Sequence, residues 1–117
     1  APIIAATSGT LSWVSTTTGV VMPTMFPVAH EICLQFSGSV SFAELAATIT
    51  ASSFAAAISP LSTGGAIIMP SYSSVKETST EEMNVLFHRL FLLSVLNLLF
   101  HIVLAACGVF RPGPLLP

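Results

Sequence analysis

Two runs of hydroxyl and glycine residues carry the chemistry of this chain. They are Ser15-Thr16-Thr17-Thr18-Gly19-Val20-Val21-Met22-Pro23 and Ser62-Thr63-Gly64-Gly65-Ala66-Ile67-Ile68-Met69-Pro70. Ser, Thr, Met and Pro recur in register, and each copy lies inside strongly apolar sequence. A helix interrupted in such a setting ends one half with free carbonyls and opens the next with free N–H groups. Carbonyl and hydroxyl oxygens suit a hard cation, and the N–H end suits a carboxylate. Ser15 to Thr18 and Ser62-Thr63 can add hydroxyl ligands for either partner, while Gly19, Gly64 and Gly65 permit close approach of a solute. Pro23 and Pro70 are expected to limit the two short arms in the same way. The same residue types also kink and pack membrane helices; two copies in register favour a site.

The elements that must position these runs follow from composition. Of 117 residues, 53% are hydrophobic and 7% charged, with three Lys/Arg, five Asp/Glu and a net charge of −2; mean hydropathy is +0.88. An ordinary soluble domain carries about a quarter charged residues, so a lipid bilayer is the expected surrounding. Three cations cannot neutralise a useful stretch of phosphates, which excludes nucleic acid as a partner. Cys33 and Cys107 have no metal-ligand spacing around them and read as small buried apolar residues.

The clearest segment is Leu90 to Phe110, 21 residues without a formal charge when His101 is neutral. As a helix it is about 31 Å long, the thickness of a bilayer core. Ser79 or Thr80 can cap it, Glu81 and Glu82 fall in its first turn, and Gly108 and Arg111-Pro112-Gly113-Pro114 stop it. Upstream, Ala1 to Trp13 and Gly19 to Ala29 form two arms too short to cross, which fits a re-entrant hairpin. Ser41 to Ile58 forms an Ala/Ser/Thr-rich helix, followed by a break at Ser59-Pro60 and an arm to Met69. Small side chains over residues 46 to 57 let helix backbones approach closely. His30 to Gly38 and Ser71 to Thr80 read as polar connections.

The run Ser15 to Thr24, followed by Ile58-Ser59-Pro60-Leu61-Ser62-Thr63-Gly64-Gly65-Ala66, resembles the last repeat of ion-transporter-superfamily permeases. Within them it looks most like the malonate-carrier-like branch of the dicarboxylate permeases, related to the divalent anion:sodium symporters. The resemblance covers residues 1 to about 110. It implies an all-α membrane protein: a re-entrant helical hairpin over 1–29, a broken helix over 41–70 and a last transmembrane helix over 83–110. It further implies a small di- or tricarboxylate moved with sodium or protons. Ser15, Thr16, Thr17, Thr18, Gly19, Ser62 and Thr63 then stand where substrate is held, and Thr17, Ser59, Ser62, Thr63 and Gly64 where sodium is held. Thr16 stands where the symporters usually carry Asn. Such permeases also have an inverted second repeat and a scaffold domain, so the chain is expected to be part of a larger, multi-pass transporter of the plasma (inner) membrane. A homodimer is a further expectation, and no cofactor beyond the coupling ion is implied.

The remaining polar residues read more simply. Asn97 and His101 share one face of the last helix, where an interhelical hydrogen bond is the first expectation and a proton relay the second. His88 and Arg89 are expected to reach the interface, and Glu44 to act on its helix N-terminus. His30-Glu31 lacks the second His of a zinc pattern. Lys76 and Arg89 against Arg111 do not decide orientation. A small membrane structural or assembly subunit is the alternative to a transporter. An enzyme is not expected, for no nucleophile–base set, phosphate loop or metal cluster is present.

Overall fold

The computed structural model describes residues 1–36, 39–77 and 79–112. Among them every regular element is helical, in the order α1 (Pro2–Trp13), a π-helical turn (Thr17–Val21), α2 (Met22–Gln35), α3 (Phe42–Ala56), α4 (Thr63–Val75) and α5 (Thr80–Ala106).

Local chemistry sets the boundaries. Pro2 opens α1 at a position where its missing N–H costs nothing. After Trp13 the chain breaks over Val14 to Thr16, and it resumes in a widened turn where the Thr16 carbonyl accepts from both Val20 and Val21 N–H. Pro23 follows at once in the first turn of α2, so it opens the second arm rather than limiting it. Ser41 caps α3, its hydroxyl accepting from Ala43 N–H, Ser62 caps α4 through Gly65 N–H, and Ser79 caps α5 through Glu82 N–H. Gly108, at φ +77°, turns the chain out of α5.

Several expected boundaries move. α2 runs on through His30 to Gln35, because Ile32 and Cys33 still have apolar surface to cover. Pro70 lies inside α4, which continues to Val75. Ser71, Ser73 and Ser74 hydroxyls donate to carbonyls of that stretch, where a proline removes one backbone donor. The expected polar connections at 30–38 and 71–80 are therefore largely helical; Ser37, Gly38 and Thr78 lie outside the described residues. α5 ends at Ala106, four residues before the expected stop, and Gly113-Pro114 also lie outside the described residues.

α3 is the central element. Phe26 and His30 of α2 meet Phe42 at its start, and Thr17 meets Ser53 near its end, so α2 runs antiparallel to it. Ile4 packs near Leu45 and Ile49, Ser8 bonds Ser52, and Ser12 bonds the Ser53 carbonyl, so α1 runs parallel to α3. The chain therefore reverses direction between α1 and α2 while both arms lie on α3. Val21, Met25, Ala29, Leu45 and Ile49 form the buried apolar cluster between α2 and α3. α5 is antiparallel to α3, from Arg111 beside Glu44 at one end to Ser94 beside Ala56 at the other. Its first turns go on alongside α4, where Tyr72 and Lys76 share a cleft with Leu86 and Arg89. Leu98 of α5 sits directly over Gly9 of α1, a contact that leaves no room for a Cβ.

α5 is long and apolar enough to cross a membrane. Its outer face is Leu92, Leu93, Leu96, Leu99, Phe100 and Val103, each more than half exposed.

Candidate functional site

In place of an apolar centre, the seam between α1, α3 and α5 is lined with small hydroxyl side chains. Ser8, Ser12, Thr48, Ser52, Ser53, Ser59 and Ser94 are fully buried. On a helix, Ser8 and Ser12 share one face, as do Thr48 and Ser52. Most of these hydroxyls satisfy themselves on their own helix: Ser8 donates to Ile4 O, Thr48 to Glu44 O and Ser52 to Thr48 O, each at 2.7 Å. Ser8 and Ser52 are also 2.8 Å apart. With one proton on each oxygen, the two cannot fill all three contacts at once.

The seam leads to the C-terminal end of α3, where helix ends leave carbonyls without intrahelical donors. Ala57 N–H turns to Phe54 O, and side chains from other elements collect most of the freed oxygens. The Ser12 hydroxyl donates to Ser53 O at 2.8 Å, with Thr17 Oγ1 3.4 Å from the same oxygen and 2.8 Å from Ser12 Oγ. Asn97 Nδ2 donates to Ala55 O at 3.3 Å and Ser94 to Ala56 O at 2.9 Å. Ser62 Oγ lies within hydrogen-bond reach of both Ala57 O and Ser59 O. The last turn of α1 and the interruption after it thus supply Ser12 and Thr17, the second interruption Ser62, and α5 Ser94 and Asn97, all around one helix end. In a helix, Ser53 and Ala57 lie about 6 Å apart along the axis, so the two interruptions flank a single turn.

Of the residues expected from sequence, Thr17, Ser59 and Ser62 are buried there, with Gly64 half-buried against Ala57 O. Gly65 packs so closely on Ser59 and Pro60 that only a hydrogen side chain fits. The other expected residues stand away from α3's end. Ser15 donates to Leu11 O of its own arm, Thr16 lies against Gly19, and Thr18, Gly19 and Thr63 are exposed. Sequence reasoning missed Ser12, Ser53 and Ser94. Only Ser12 carried a signal, the i, i+4 hydroxyl pair Ser8–Ser12 on one helix face; Ser53 lay inside the run 46–57 read as small-residue packing, and nothing around Ser94 marked it.

Two polar atoms at this level are unusual. Ser53 Oγ and Trp13 Nε1 are buried without a hydrogen-bond partner, although hydroxyls in helices commonly donate back to the preceding turn. The Trp13 ring meets Phe91 of α5 in a tilted contact, with centroids 5.6 Å apart. Thr17 Oγ1, whose proton is directed to Ser12 or Ser53 O, keeps lone pairs that no donor occupies. The donor set offered is oxygen only. Among the described residues no group of three or more His, Cys, Asp or Glu is gathered to hold a metal. Away from this region, Arg111 Nε lies 3.6 Å from Glu44 Oε1, tying the end of α5 to the start of α3.

Compared with protein-family models, curated proteins and solved structures, the chain matches none.

Proposed function

We propose that the chain is the substrate-site segment of a secondary transporter that moves a small di- or tricarboxylate with sodium or protons. It would be a multi-pass protein of the plasma (inner) membrane, completed by a second repeat and a scaffold domain and assembled as a homodimer. On this reading α1 and α2 are the arms of a re-entrant hairpin, α3 and α4 the halves of a broken transmembrane helix, and α5 the last span. The observation that carries it is the convergence of both interruptions on the end of α3. An isolated kink satisfies its own carbonyls, whereas here the hydroxyls of Ser12, Ser94 and Ser62 are drawn to the carbonyls of Ser53, Ala56 and Ala57.

The chemistry of that place is cationic first. Freed carbonyls form the negative pole of α3, and Ser53 Oγ and the Thr17 oxygen are uncommitted ligands beside it. A monovalent hard cation fits such a set. Ser59, Ser62 and Gly64 adjoin it from the second interruption, while Thr63, exposed in the first turn of α4, and the Ser62-capped N–H groups of that turn are the groups offered to a carboxylate. Ser15, Thr16, Thr18 and Gly19 lie on the same connection, and on this reading they are the residues left for the substrate.

The test is uptake of a labelled dicarboxylate by the intact transporter carrying Thr17→Ala or Thr63→Ala. Each is expected to weaken substrate or sodium affinity while membrane insertion stays normal. Unchanged uptake kinetics in both would sink the assignment. One observation favours a second reading, a small membrane assembly subunit: most hydroxyls at the interruptions are already engaged internally. It predicts that the same substitutions alter stability and never affinity.

A further inference from the structure

The far end of α5 holds a second feature that the hydroxyl site does not use. Where α4 meets the start of α5, a cleft of about 470 Å³ is lined by Lys76, Arg89, Glu81 and Glu82, over a floor of Val85 and Leu86. It gathers two of the chain's three Lys/Arg and two of its five Asp/Glu. Yet no ion pair forms between them; among the described residues the one ion pair is Glu44–Arg111, at the opposite end. Two cations and two anions held around one opening without pairing leave both signs available to a ligand that carries both. Tyr72, on the α4 wall, adds an aromatic face and a hydroxyl.

We infer that this cleft binds the headgroup of a zwitterionic phospholipid carrying a primary ammonium. Lys76 and Arg89 meet the phosphate, and Glu81 and Glu82 meet the ammonium. Phosphate on guanidinium and ammonium on carboxylate are charge-assisted bonds, stronger than neutral ones. The level of the cleft along α5 favours a lipid over a soluble phosphate. Arg89 is the last charged residue before the 21-residue uncharged run, so the cleft lies level with the headgroups when α5 spans the bilayer. Directly below, Leu92, Leu93 and Leu96 are exposed along α5 and give acyl chains a surface to lie on. The inference rests on the membrane reading of α5 and not on transport.

The experiment is native mass spectrometry of the delipidated full chain in detergent, titrated with dioctanoyl phosphatidylethanolamine. Dioctanoyl phosphatidylglycerol, which has no ammonium, and glycerophosphoethanolamine, which has no acyl chains, are the comparators. One retained phosphatidylethanolamine is expected, bound about tenfold more tightly than either comparator. Lys76→Gln with Arg89→Gln lowers that affinity about tenfold or more, and Glu81→Gln with Glu82→Gln removes the preference over phosphatidylglycerol. Arg111→Gln, at the other end of α5, leaves binding unchanged. Equal retention by parent and both cleft variants overturns the inference. So does glycerophosphoethanolamine binding as tightly as the lipid, which makes the cleft a soluble-phosphate site. Helical circular dichroism is checked for each variant; where a double variant loses helicity, the single exposed substitutions Lys76→Gln and Arg89→Gln carry the same test. Uptake is not measured here, so a failed transport reading leaves this result standing, and failure of the cleft leaves transport untouched.

Discussion

Ser12 and Thr17 back each other at one buried carbonyl, and that redundancy makes a quantitative prediction. Ser53 O accepts from Ser12 at 2.8 Å, with Thr17 standing by at 3.4 Å. In Ser12→Ala, Thr17 loses its own partner and can close the few tenths of an ångström to the carbonyl, so the cost is about 1 kcal/mol, the value of one ordinary hydrogen bond. In Thr17→Val, Ser12 keeps the carbonyl and only the longer contact and the link between the two hydroxyls go, for about 0.5 kcal/mol. With both removed, a buried carbonyl is left without a donor, and the cost rises to about 2–3 kcal/mol. The double variant therefore exceeds the sum of the singles by about 1 kcal/mol, a coupling that neighbouring groups sharing a partner are expected to show. The assay is reversible unfolding of the full chain in mixed micelles titrated with dodecyl sulfate, followed by circular dichroism, with Ser12→Ala, Thr17→Val and the double compared in one detergent. Singles that add to the double within about 0.3 kcal/mol would refute the idea that the two hydroxyls serve one acceptor.

Other substitutions separate packing from chemistry. Ser53→Ala removes a buried hydroxyl with no partner, so stability in the same micelle assay should rise by up to about 1 kcal/mol; on the proposed transport reading sodium affinity falls at the same time. A fall in stability would place a hydrogen bond on Ser53 Oγ that this arrangement lacks. Leu98→Ala should cost about 2–4 kcal/mol, because the side chain is 3% exposed and fills the space over Gly9. Gly9→Ala should destabilise alone yet recover part of the loss in the Leu98→Ala background, as read by the same unfolding curves. Arg111→Gln should change stability by less than about 1 kcal/mol, since the arginine is largely exposed, and the small difference should shrink in high salt.

What could be read from sequence divides along one physical line. Features set by neighbouring residues were legible: the helical character, the Ser79 cap, the break after Trp13 and the bilayer-length run of α5, though not its exact end. Each depends on one to four adjacent side chains. Proline was over-read, because Pro23 and Pro70 were weighed as terminators. A proline in the first turn opens a helix, and one in the interior is carried here at the loss of one backbone hydrogen bond. The site was legible only by half. Thr17, Ser59 and Ser62 announce themselves beside glycine and proline, whereas Ser12, Ser53 and Ser94 become neighbours only when α1, α3 and α5 are laid together. No spacing within one segment encodes that convergence. The interhelical role of Asn97 was expected from its place in an apolar run, but its partner, the Ala55 carbonyl, required the end of α3 to be located first.

The unbroken length of α5 has a mechanical consequence. It lies along α3 with its second half and along α4 with its first, bridging the gap at residues 57–62 as a splint bridges a fracture. The two shorter helices cannot fold shut on each other without leaving it. The small residues Ala55, Ala56 and Gly65 keep the joint slim where it passes under the long helix. Strain applied at either end of α5, at Arg89 or at Arg111, would be delivered to the joint through Ser94 and Asn97, the two side chains that grip the loose carbonyls. The joint is thus geared to both ends of the long helix while its own backbone stays interrupted.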